Sequence, residues 1–430
     1  MWKQMNRREL LSNTTLAGVG VWLSSGPKTR ADCQSPNEKL NIAIIGAGGR
    51  GASNLAGVAG ENIVALCDVD ERRAGSSFAK YASVRKFHDY RKMLDDMDKQ
   101  IDAVVVSAPN HIHAPASVRA MRMGKHCYCE KPLAHSISEA RLAAQVAAEQ
   151  GVATQMGTQI HASDNFRRVV ELVRSGAIGA TREVHIHLSG GPTADARPRE
   201  TPPIPPGLHW DLWLGPAPYR PYHPCYVPHD WHYWWDFGGG LLGNMGCHYL
   251  DLPYWALDLR YPSTIETKGS PLHPECTPHE LTIDWEFPAR GAQPPVTVTS
   301  HGDSRPQFWK EHELPDWAWC AFVGTKGMLL ANYDQHMLWP ASRFADARRP
   351  EPTIPASIGH HNEWIAACKT GRPTTCNFDY AGALTETVLL GNVAFRCGRK
   401  IQWDAANLQA TNVPEANQYL QREYRKGWTL

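Results

Sequence analysis

The chain has 430 residues, with 44 Lys and Arg against 43 Asp and Glu, and 42% of its residues are hydrophobic. At about 150 residues per domain, this length predicts two or three domains and excludes a single small module. The formal net charge of +1 argues against a nucleic-acid groove and a polybasic membrane anchor, because both need a strongly positive field. The composition is typical of a soluble globular protein.

The first 31 residues are predicted to be a signal peptide. Arg7 and Arg8 precede a weakly apolar run, 14–23, and a modest cleavage position follows at Ala31. The run is too short to span a bilayer as a helix, and its position fits an export signal that resembles the twin-arginine leaders of bacterial secreted enzymes. We therefore expect a periplasmic or secreted protein; an ordinary disordered terminus is the alternative.

Between residues 38 and 157, short apolar segments rich in β-branched residues alternate with segments of helical period. The predicted strands cover 40–45, 63–67, 84–87, 103–106, 126–129 and 152–156, and the predicted helices run to about 59 and then cover 71–81, 90–97, 115–123 and 138–149. Strands that are apolar throughout and alternate with helices indicate a parallel sheet covered on both faces. The fold class is therefore α/β, with a doubly wound Rossmann sheet at the N-terminus.

Residues 158–400 are predicted to form a second domain, of the α+β class, and 401–430 a C-terminal tail. Helices are predicted over 165–174, 245–257, 361–370 and 381–395, and strands over 181–188, 280–287, 296–301, 318–323 and 328–332. Strands that follow one another directly indicate an open, mostly antiparallel sheet. The stretch 190–228 is dense in proline and aromatic residues and cannot be regular, which is typical of a lid or a binding loop.

A glycine-rich motif follows the first predicted strand and opens the first predicted helix. Its glycines permit a tight turn and let a pyrophosphate approach backbone N–H groups, and the carboxylate that ends the second strand can bind an adenosine ribose hydroxyl. The residues assigned to this site are Gly46, Gly48, Arg50, Gly51 and Asp68. The motif predicts NAD rather than NADP, because Asp68 would repel a 2′-phosphate, although Arg72 and Arg73 weaken that preference.

A second motif, Glu130-Lys131-Pro132, follows the fifth predicted strand. Residues just beyond the carboxyl ends of parallel strands face the ligand crevice of such a sheet. A lysine there can donate to a substrate hydroxyl and stabilise an alkoxide. Three residues alone carry little weight, and a surface ion pair is the default interpretation.

Taken together, these motifs resemble in order and spacing those of the glucose-fructose oxidoreductase/inositol dehydrogenase/rhizopine-catabolism (Gfo/Idh/MocA) family. The residues that carry the resemblance are Gly46–Gly51, Asp68, Ser107–His113, Gly124–His126, Glu130–Pro132, Gly324–Gly327 and Glu386. The resemblance covers essentially the whole chain after the leader. It implies a Rossmann domain, a second domain whose open sheet shields the nicotinamide, and a homo-oligomer. It also adds Pro109, Asn110, His113, Glu130 and Lys131 to the expected cofactor-binding residues.

A third motif occupies residues 238–251. At 100° per residue, Asn244, His248 and Asp251 share one helical face. The family resemblance implies an acid/base or substrate-binding role for His248, so Lys131 and His248 are the expected catalytic residues. Many family members carry Asp where this chain has Asn244. Asn244 either orients a substrate hydroxyl or only caps a helix beginning near Met245, and a buried, non-catalytic His248 is a further alternative.

The expected substrate residues are Gln159, His161, Trp235, Asn244 and His248. Gln159 and His161 follow the last Rossmann strand and should lie near the nicotinamide. Trp235 is one of five tryptophans between 210 and 235, whose indoles can stack on the C–H faces of a sugar or pack a core under the loop.

No metal site is predicted. The pairs His111/His113 and His185/His187 have a spacing that suits two ligands, but no carboxylate cluster completes either pair. The eleven cysteines match no zinc-ligand spacing.

The leading interpretation is an exported, NAD-dependent oxidoreductase of a sugar, polyol or glycoside. Outside the cytoplasm no NAD pool is expected, so the cofactor is predicted to be tightly bound and internally recycled. One alternative is an NAD-dependent glycoside hydrolase that works by oxidation, elimination, water addition and reduction. The other is a non-catalytic sugar-binding protein with structural NAD. The expected partners are a small carbohydrate and a second copy of the chain, with no nucleic acid and no stable membrane insertion.

Overall fold

A computed structural model of the chain describes residues 38–188, 196–347 and 350–430. The predicted signal peptide, with Arg7 and Arg8, lies outside the described residues. Within the described ranges, no helix is both long enough and apolar enough to cross a membrane.

The first sheet is parallel and has six strands in the spatial order β3-β2-β1-β4-β5-β6. Its strands are β1 (Asn41–Ile45), β2 (Asn62–Cys67), β3 (Arg85–Phe87), β4 (Ala103–Val106), β5 (His126–Glu130) and β6 (Thr154–Gly157), connected by helices α1 (Arg50–Gly57), α2 (Glu71–Lys80), α3 (Tyr90–Asp96), α4 (Asn110–Arg122) and α5 (Ile137–Gln150). The predicted doubly wound sheet is thereby confirmed. The strand order reverses between β1 and β4, and this reversal opens a crevice at the carboxyl ends of these strands.

The second sheet has nine strands in the order β13-β12-β11-β7-β10-β9-β8-β14-β15. These are β7 (Thr181–His187), β8 (Thr264–Gly269), β9 (Leu281–Phe287), β10 (Val296–His301), β11 (Cys320–Gly324), β12 (Gly327–Ala331), β13 (His336–Trp339), β14 (Ile401–Asp404) and β15 (Gln409–Ala410). Strands β7 and β10 pair in parallel, and the other pairs are antiparallel. The mostly antiparallel second sheet is therefore confirmed.

The remaining helices lie between and after these strands. They are α6 (Asp164–Arg174), α7 (Trp210–Leu214), α8 (Gly240–Ala256), α9 (Gln307–Glu311), α10 (His360–Thr370) and α11 (Phe378–Cys397). Helix α7 corrects the expectation that 190–228 has no regular structure. Helix α8 begins at Gly240, before Met245. Two of its first four residues are glycines, whose low helix propensity conceals this start in the sequence.

Two further boundaries differ from the sequence-based ones. Strand β14 pairs with β8, so residues 401–404 belong to the second sheet and not to a separate tail. Helix α4 begins at Asn110, not at Pro115, which lies inside the helix. Because proline is favoured in the first turn of a helix, Pro115 was predicted to be the first residue of α4, and that prediction is wrong.

The second half of the chain returns to the first sheet at two places. Trp364 of α10 is fully buried in one apolar cluster with Ile42 of β1 and Tyr128 of β5. Near the C-terminus, Arg422 donates to Glu139 over 2.7 Å and to the carbonyl of His111 over 2.6 Å. The first domain is thus joined to residues from the second half of the chain at both places.

Candidate active site

The glycine-rich motif forms the turn between β1 and α1. Gly46 has φ +83°, a left-handed conformation that only glycine adopts readily. A Cβ built on Gly51 would lie 1.8 Å from the carbonyl oxygen of Gly46, so only glycine allows α1 to begin this close to the turn. These two constraints leave an open backbone cradle of the kind that a pyrophosphate occupies.

Asp68, at the end of β2, faces this cradle. Its carboxylate accepts hydrogen bonds from the N–H groups of Ala47 at 2.8 Å, Gly48 at 3.0 Å and Asp70 at 2.9 Å. Burial raises the pKa of Asp68, and these backbone donors oppose the rise. The carboxylate is therefore fixed beside the turn, where an adenosine ribose would lie. The guanidinium group of Arg72 pairs with the carboxylate of Asp70 and not with Asp68.

A cavity of about 590 Å³ runs from this turn along the crevice, which is within the usual size of cofactor and ligand sites. Among the residues that line it are Gly46, Gly48, Arg50, Asp68, Pro109, Asn110, His113, Glu130 and Lys131. Every predicted cofactor-binding residue except Gly51, which lies under the turn, is thus on its wall. The cradle and the cavity together fit a dinucleotide.

Lys131 lies at the end of β5 and reaches across to helix α8. Its Nζ donates to Oδ1 of Asn244 at 2.9 Å and also contacts the carbonyl oxygen of Asn244. Burial lowers the pKa of Lys131, and the negative charge of Glu130 opposes that shift. Asn244 is in the second turn of α8 and not at its first residue, which corrects the interpretation that it only caps the helix.

The residues on either side of Lys131 are themselves held in place. Glu130 precedes it, and His113 contacts the carbonyl oxygen of Pro132, which follows it. The Glu130 carboxylate accepts from Asn54 at 2.9 Å and from Gln159 at 2.7 Å, and burial raises its pKa. The ring nitrogens of His113 lie 2.6 Å from the carbonyl oxygens of Ala108 and Pro132. Gln159 lines the cavity as predicted, with its amide held by Glu130.

His248 lies one helical turn after Asn244 and lines the same cavity. Its Nδ1 is buried and has no hydrogen-bond partner among the described residues. Burial, and then the positive charge of Lys131, lower the pKa of His248 to about 3, so the ring is neutral at ordinary pH. The structure therefore brings the predicted lysine and imidazole, from the two halves of the chain, to one cavity.

His232 is a second imidazole in this cavity, and no motif in the sequence indicates it. It follows Trp231, on whose ring it packs with centroids 3.6 Å apart, and it is 8% exposed. Its Nδ1 also has no partner within the described part of the chain. Burial, followed by the charge of Lys131, lowers its pKa to about 2. A histidine among many aromatic residues gives no periodic signal, so only the fold reveals it.

Two predicted substrate residues lie elsewhere, which corrects those expectations. His161 is fully buried, and its Nδ1 is 2.9 Å from both oxygens of Asp251. Asp251 is buried deeper along α8 than His248 and holds this ring away from the cavity. The indole N–H of Trp235 donates to the carbonyl of His273 at 3.2 Å, and Arg396 lies over its ring. Neither His161 nor Trp235 lines the cavity.

The described part of the proline-rich stretch contributes to the wall of the cavity, as either a lid or a binding loop would. We call residues 207–231 the covering segment. Val227, Pro228, His229 and Trp231 line the cavity, and the backbone of the segment bonds to the first domain through Glu71 N–H to Gly207 O at 2.9 Å and His209 N–H to Val69 O at 2.8 Å. Trp428, near the C-terminus, closes another part of the wall.

Two models of known protein families match this chain, one over the first domain and one over part of the second. Residues 40–158 match the family model of the Gfo/Idh/MocA oxidoreductases described as the NAD-binding Rossmann fold, and residues 165–292 match the model of their C-terminal alpha/beta domain. The chain belongs to the Gfo/Idh/MocA oxidoreductase family, and its first domain is the NAD-binding Rossmann domain of that family.

Two curated relatives match over part of the chain. An inositol 2-dehydrogenase of Salmonella paratyphi B is 29% identical over 152 residues, covering 34% of this chain and 45% of its own. A glycosyl hydrolase family 109 protein of Solibacter usitatus is 34% identical over 198 residues, covering 40% of this chain and 43% of its own. The match thus spans less than half the length of either relative.

Among solved structures, the WlbA dehydrogenase of Bordetella pertussis, in complex with NADH and UDP-GlcNAcA, shares the fold. It superposes with a TM-score of 0.60 at 16% identity, over 85% of this chain and 99% of that protein. At this identity the likeness supports the fold alone.

We predict that Gly51→Ala removes NAD binding. The added methyl group collides with the carbonyl of Gly46, so the turn must move, and we expect a stability loss of about 1–3 kcal/mol. The measurement is the NAD released from the purified protein by denaturation, together with the thermal unfolding temperature. Gly75→Ala is the matched control, because it lies inside α2 with no atom within 4 Å of a built Cβ. Equal NAD content in the two variants would contradict the proposed cradle.

Proposed function

We propose that the protein is an NAD-dependent oxidoreductase that acts on a hydroxyl of a sugar, polyol or glycoside. The observation that carries the proposal is the meeting of Lys131 and His248 in one cavity beside the glycine-rich turn. A cationic donor and a neutral imidazole are the two groups needed to handle a hydroxyl proton. The inositol dehydrogenase relative supports a polyhydroxylated substrate.

In this proposal each side chain has a defined task. The glycine-rich turn and Asp68 would hold NAD, which when bound would supply the hydride-transfer chemistry. Lys131 Nζ, which Asn244 holds in place, donates to the substrate oxygen and stabilises the negative charge that develops there. The neutral ring of His248 takes the hydroxyl proton. His232, whose Nδ1 also lacks a partner among the described residues, accepts a hydrogen bond from a neighbouring hydroxyl.

We further propose that the cofactor remains bound between turnovers. The covering segment and Trp428 both contribute to the cavity wall, so both would contact a bound dinucleotide and slow its release. The backbone bonds that join the segment to Val69 and Glu71 hold it in this position. A retained cofactor requires a cycle that restores its starting redox state.

A redox-neutral glycoside hydrolase is the second candidate. The relative from Solibacter usitatus favours it, and so does the presence of two neutral imidazoles beside one lysine. After transient oxidation of a ring hydroxyl, one imidazole removes the acidified proton from the adjacent carbon and the glycosidic group leaves. Water addition and reduction then complete the cycle. Sugar release from a chromogenic glycoside without net NADH distinguishes this activity from net dehydrogenation.

We predict that Lys131→Met lowers kcat by about 100-fold or more on any accepted substrate, because the developing charge loses its donor. Turnover should be assayed across a panel of sugars, polyols and aryl glycosides, with bound NAD quantified in parallel. Lys99→Met, at an exposed position, is the control. Unchanged turnover in Lys131→Met would show that Lys131 is not needed for the reaction and would contradict the proposed mechanism.

The pH profile gives an independent prediction. A proton acceptor must be neutral, and His248, with a pKa of about 3, stays neutral well below the ordinary histidine range. We therefore expect kcat/KM to show no acid limb near about pH 6.5 and to fall only at more acidic pH. An acid limb near that value that disappears in His248→Gln would keep His248 as the proton acceptor but would contradict its lowered pKa.

Export and self-association complete the proposal. We propose that the twin-arginine motif directs the folded, NAD-loaded protein out of the cytoplasm, since no NAD pool is expected outside. Replacing both Arg7 and Arg8 by Lys should retain the protein in the cytoplasmic fraction of expressing cells, and an unchanged distribution would contradict export by this route.

We also propose that the protein is a homo-oligomer.

A further inference from the structure

Trp428 brings an aromatic ring from the C-terminal segment of the chain to the cofactor cavity. The residue is 8% exposed and lines the cavity that begins at the glycine-rich turn. Contacts on both sides of it hold the segment in place. The N–H of Arg425 donates to the carbonyl of Pro216 at 3.0 Å, and Nη1 of Arg122 donates to the carbonyl of Leu430 at 2.9 Å.

The sheet shows which end of the cavity Trp428 lines. The strand order places β2 and β3 on one side of β1 and places β4, β5 and β6 on the other. Asp68 ends β2, on the side where the adenosine ribose is expected, whereas Lys131 follows β5 on the other side. The ring of Trp428 lies 6.1 Å from that of Tyr90, which begins α3 just after β3. Trp428 is therefore at the adenosine end.

Arg91 covers one face of the indole. Its guanidinium carbon lies 3.9 Å from the ring centroid, and the group donates to Asp89 at 2.7 Å and to the carbonyl of Gly427 at 3.1 Å. Arg91 lines a second cavity of about 390 Å³ but not the cofactor cavity, whereas Trp428 lines both. The indole therefore separates the two cavities, with the guanidinium group on the side away from the cofactor cavity.

An aromatic face at this position suits a purine base. Every nucleic-acid base has a flat π-face that stacks on aromatic side chains, and loss of one such stack lowers affinity by about five- to 150-fold. Because Arg91 already fixes the indole, the side chain loses little conformational freedom when a ligand binds. The base attached to a ribose beside Asp68 would be the part of a dinucleotide nearest to this ring.

We propose that Trp428 stacks on the adenine of the bound dinucleotide and thereby supplies part of its affinity. The proposal rests on the NAD site of the proposed function. Lys131, beside which the reacting half of the cofactor would lie, is on the other side of the glycine-rich turn. The stack therefore contributes to binding and retention of the cofactor and takes no part in proton transfer.

Nucleotide affinity of the full chain tests the proposal. The purified protein is freed of nucleotide with charcoal, and the dissociation constants of NAD and of ADP-ribose, which lacks the nicotinamide, are measured by calorimetry. Trp428→Leu keeps an apolar side chain but has no aromatic face, and we expect it to weaken binding of both ligands by about tenfold or more. Trp428→Phe keeps a ring that can stack, so the loss should be less than about threefold.

Trp317→Leu is the matched control. Trp317 is a partly buried tryptophan of a separate apolar cluster in the second domain and does not line the cavity, so both affinities should stay unchanged. An affinity in Trp428→Leu within about threefold of the parent protein, or an equal loss in Trp428→Leu and Trp428→Phe, would overturn the proposal. Circular dichroism confirms that each variant is folded.

A fluorescent adenine analogue keeps the test decisive if Trp428→Leu does not fold. The emission of 1,N6-etheno-ADP falls when its base stacks on an indole. We expect the bound probe to be dim in the parent protein and brighter in Trp428→Phe. Equal emission from the probe bound to these two proteins would count against the stack.

The stack and the proposed activity can fail separately. Tight NAD binding that Trp428→Leu leaves unchanged would remove the stack and keep the proposed function. A tenfold loss of NAD affinity in Trp428→Leu, in a protein that turns over no sugar, polyol or glycoside, would keep the stack and remove the proposed function.

Discussion

The hydrogen bond from Lys131 to Asn244 is the contact on which the site depends. Lys131 directly follows a strand of the parallel sheet, and Asn244 lies on a helix that packs under the second sheet, so each side chain is positioned by a different domain. An amide can accept this bond in any protonation state of the surrounding groups. A carboxylate in its place would add a charge to a cavity that already holds Glu130. The bond therefore aims the ammonium group while leaving its positive charge uncancelled.

Electrostatics within the cavity follow from the same arrangement. Burial lowers the pKa of His113, His232 and His248, and the charge of Lys131 lowers it further in the latter two. Lys131 thus shares the cavity with two imidazoles, His232 and His248, that stay neutral at ordinary pH, and Arg50 lies elsewhere on the wall. A negative charge that develops on a substrate oxygen beside these two rings has the ammonium group of Lys131 as its partner.

Much of this could be predicted from the sequence, because the relevant signals are local. The glycine turn, Asp68 and Lys131 are each fixed by a strand that ends at a defined residue, and the helical spacing of Asn244 and His248 places them on one face. The misplaced residues depend on long-range packing instead. His161 follows a strand, but its ring is buried against the Asp251 carboxylate. The ring of Trp235 packs against Arg396, and its indole N–H donates to a backbone carbonyl. His232 has no pattern along the chain.

The contribution of Trp428 to the cavity wall has a consequence for biosynthesis. During translation the glycine turn leaves the ribosome long before Trp428, the indole that lines the same pocket. A nucleotide that settles on the nascent sheet therefore gains this part of its wall only after the second domain has been made.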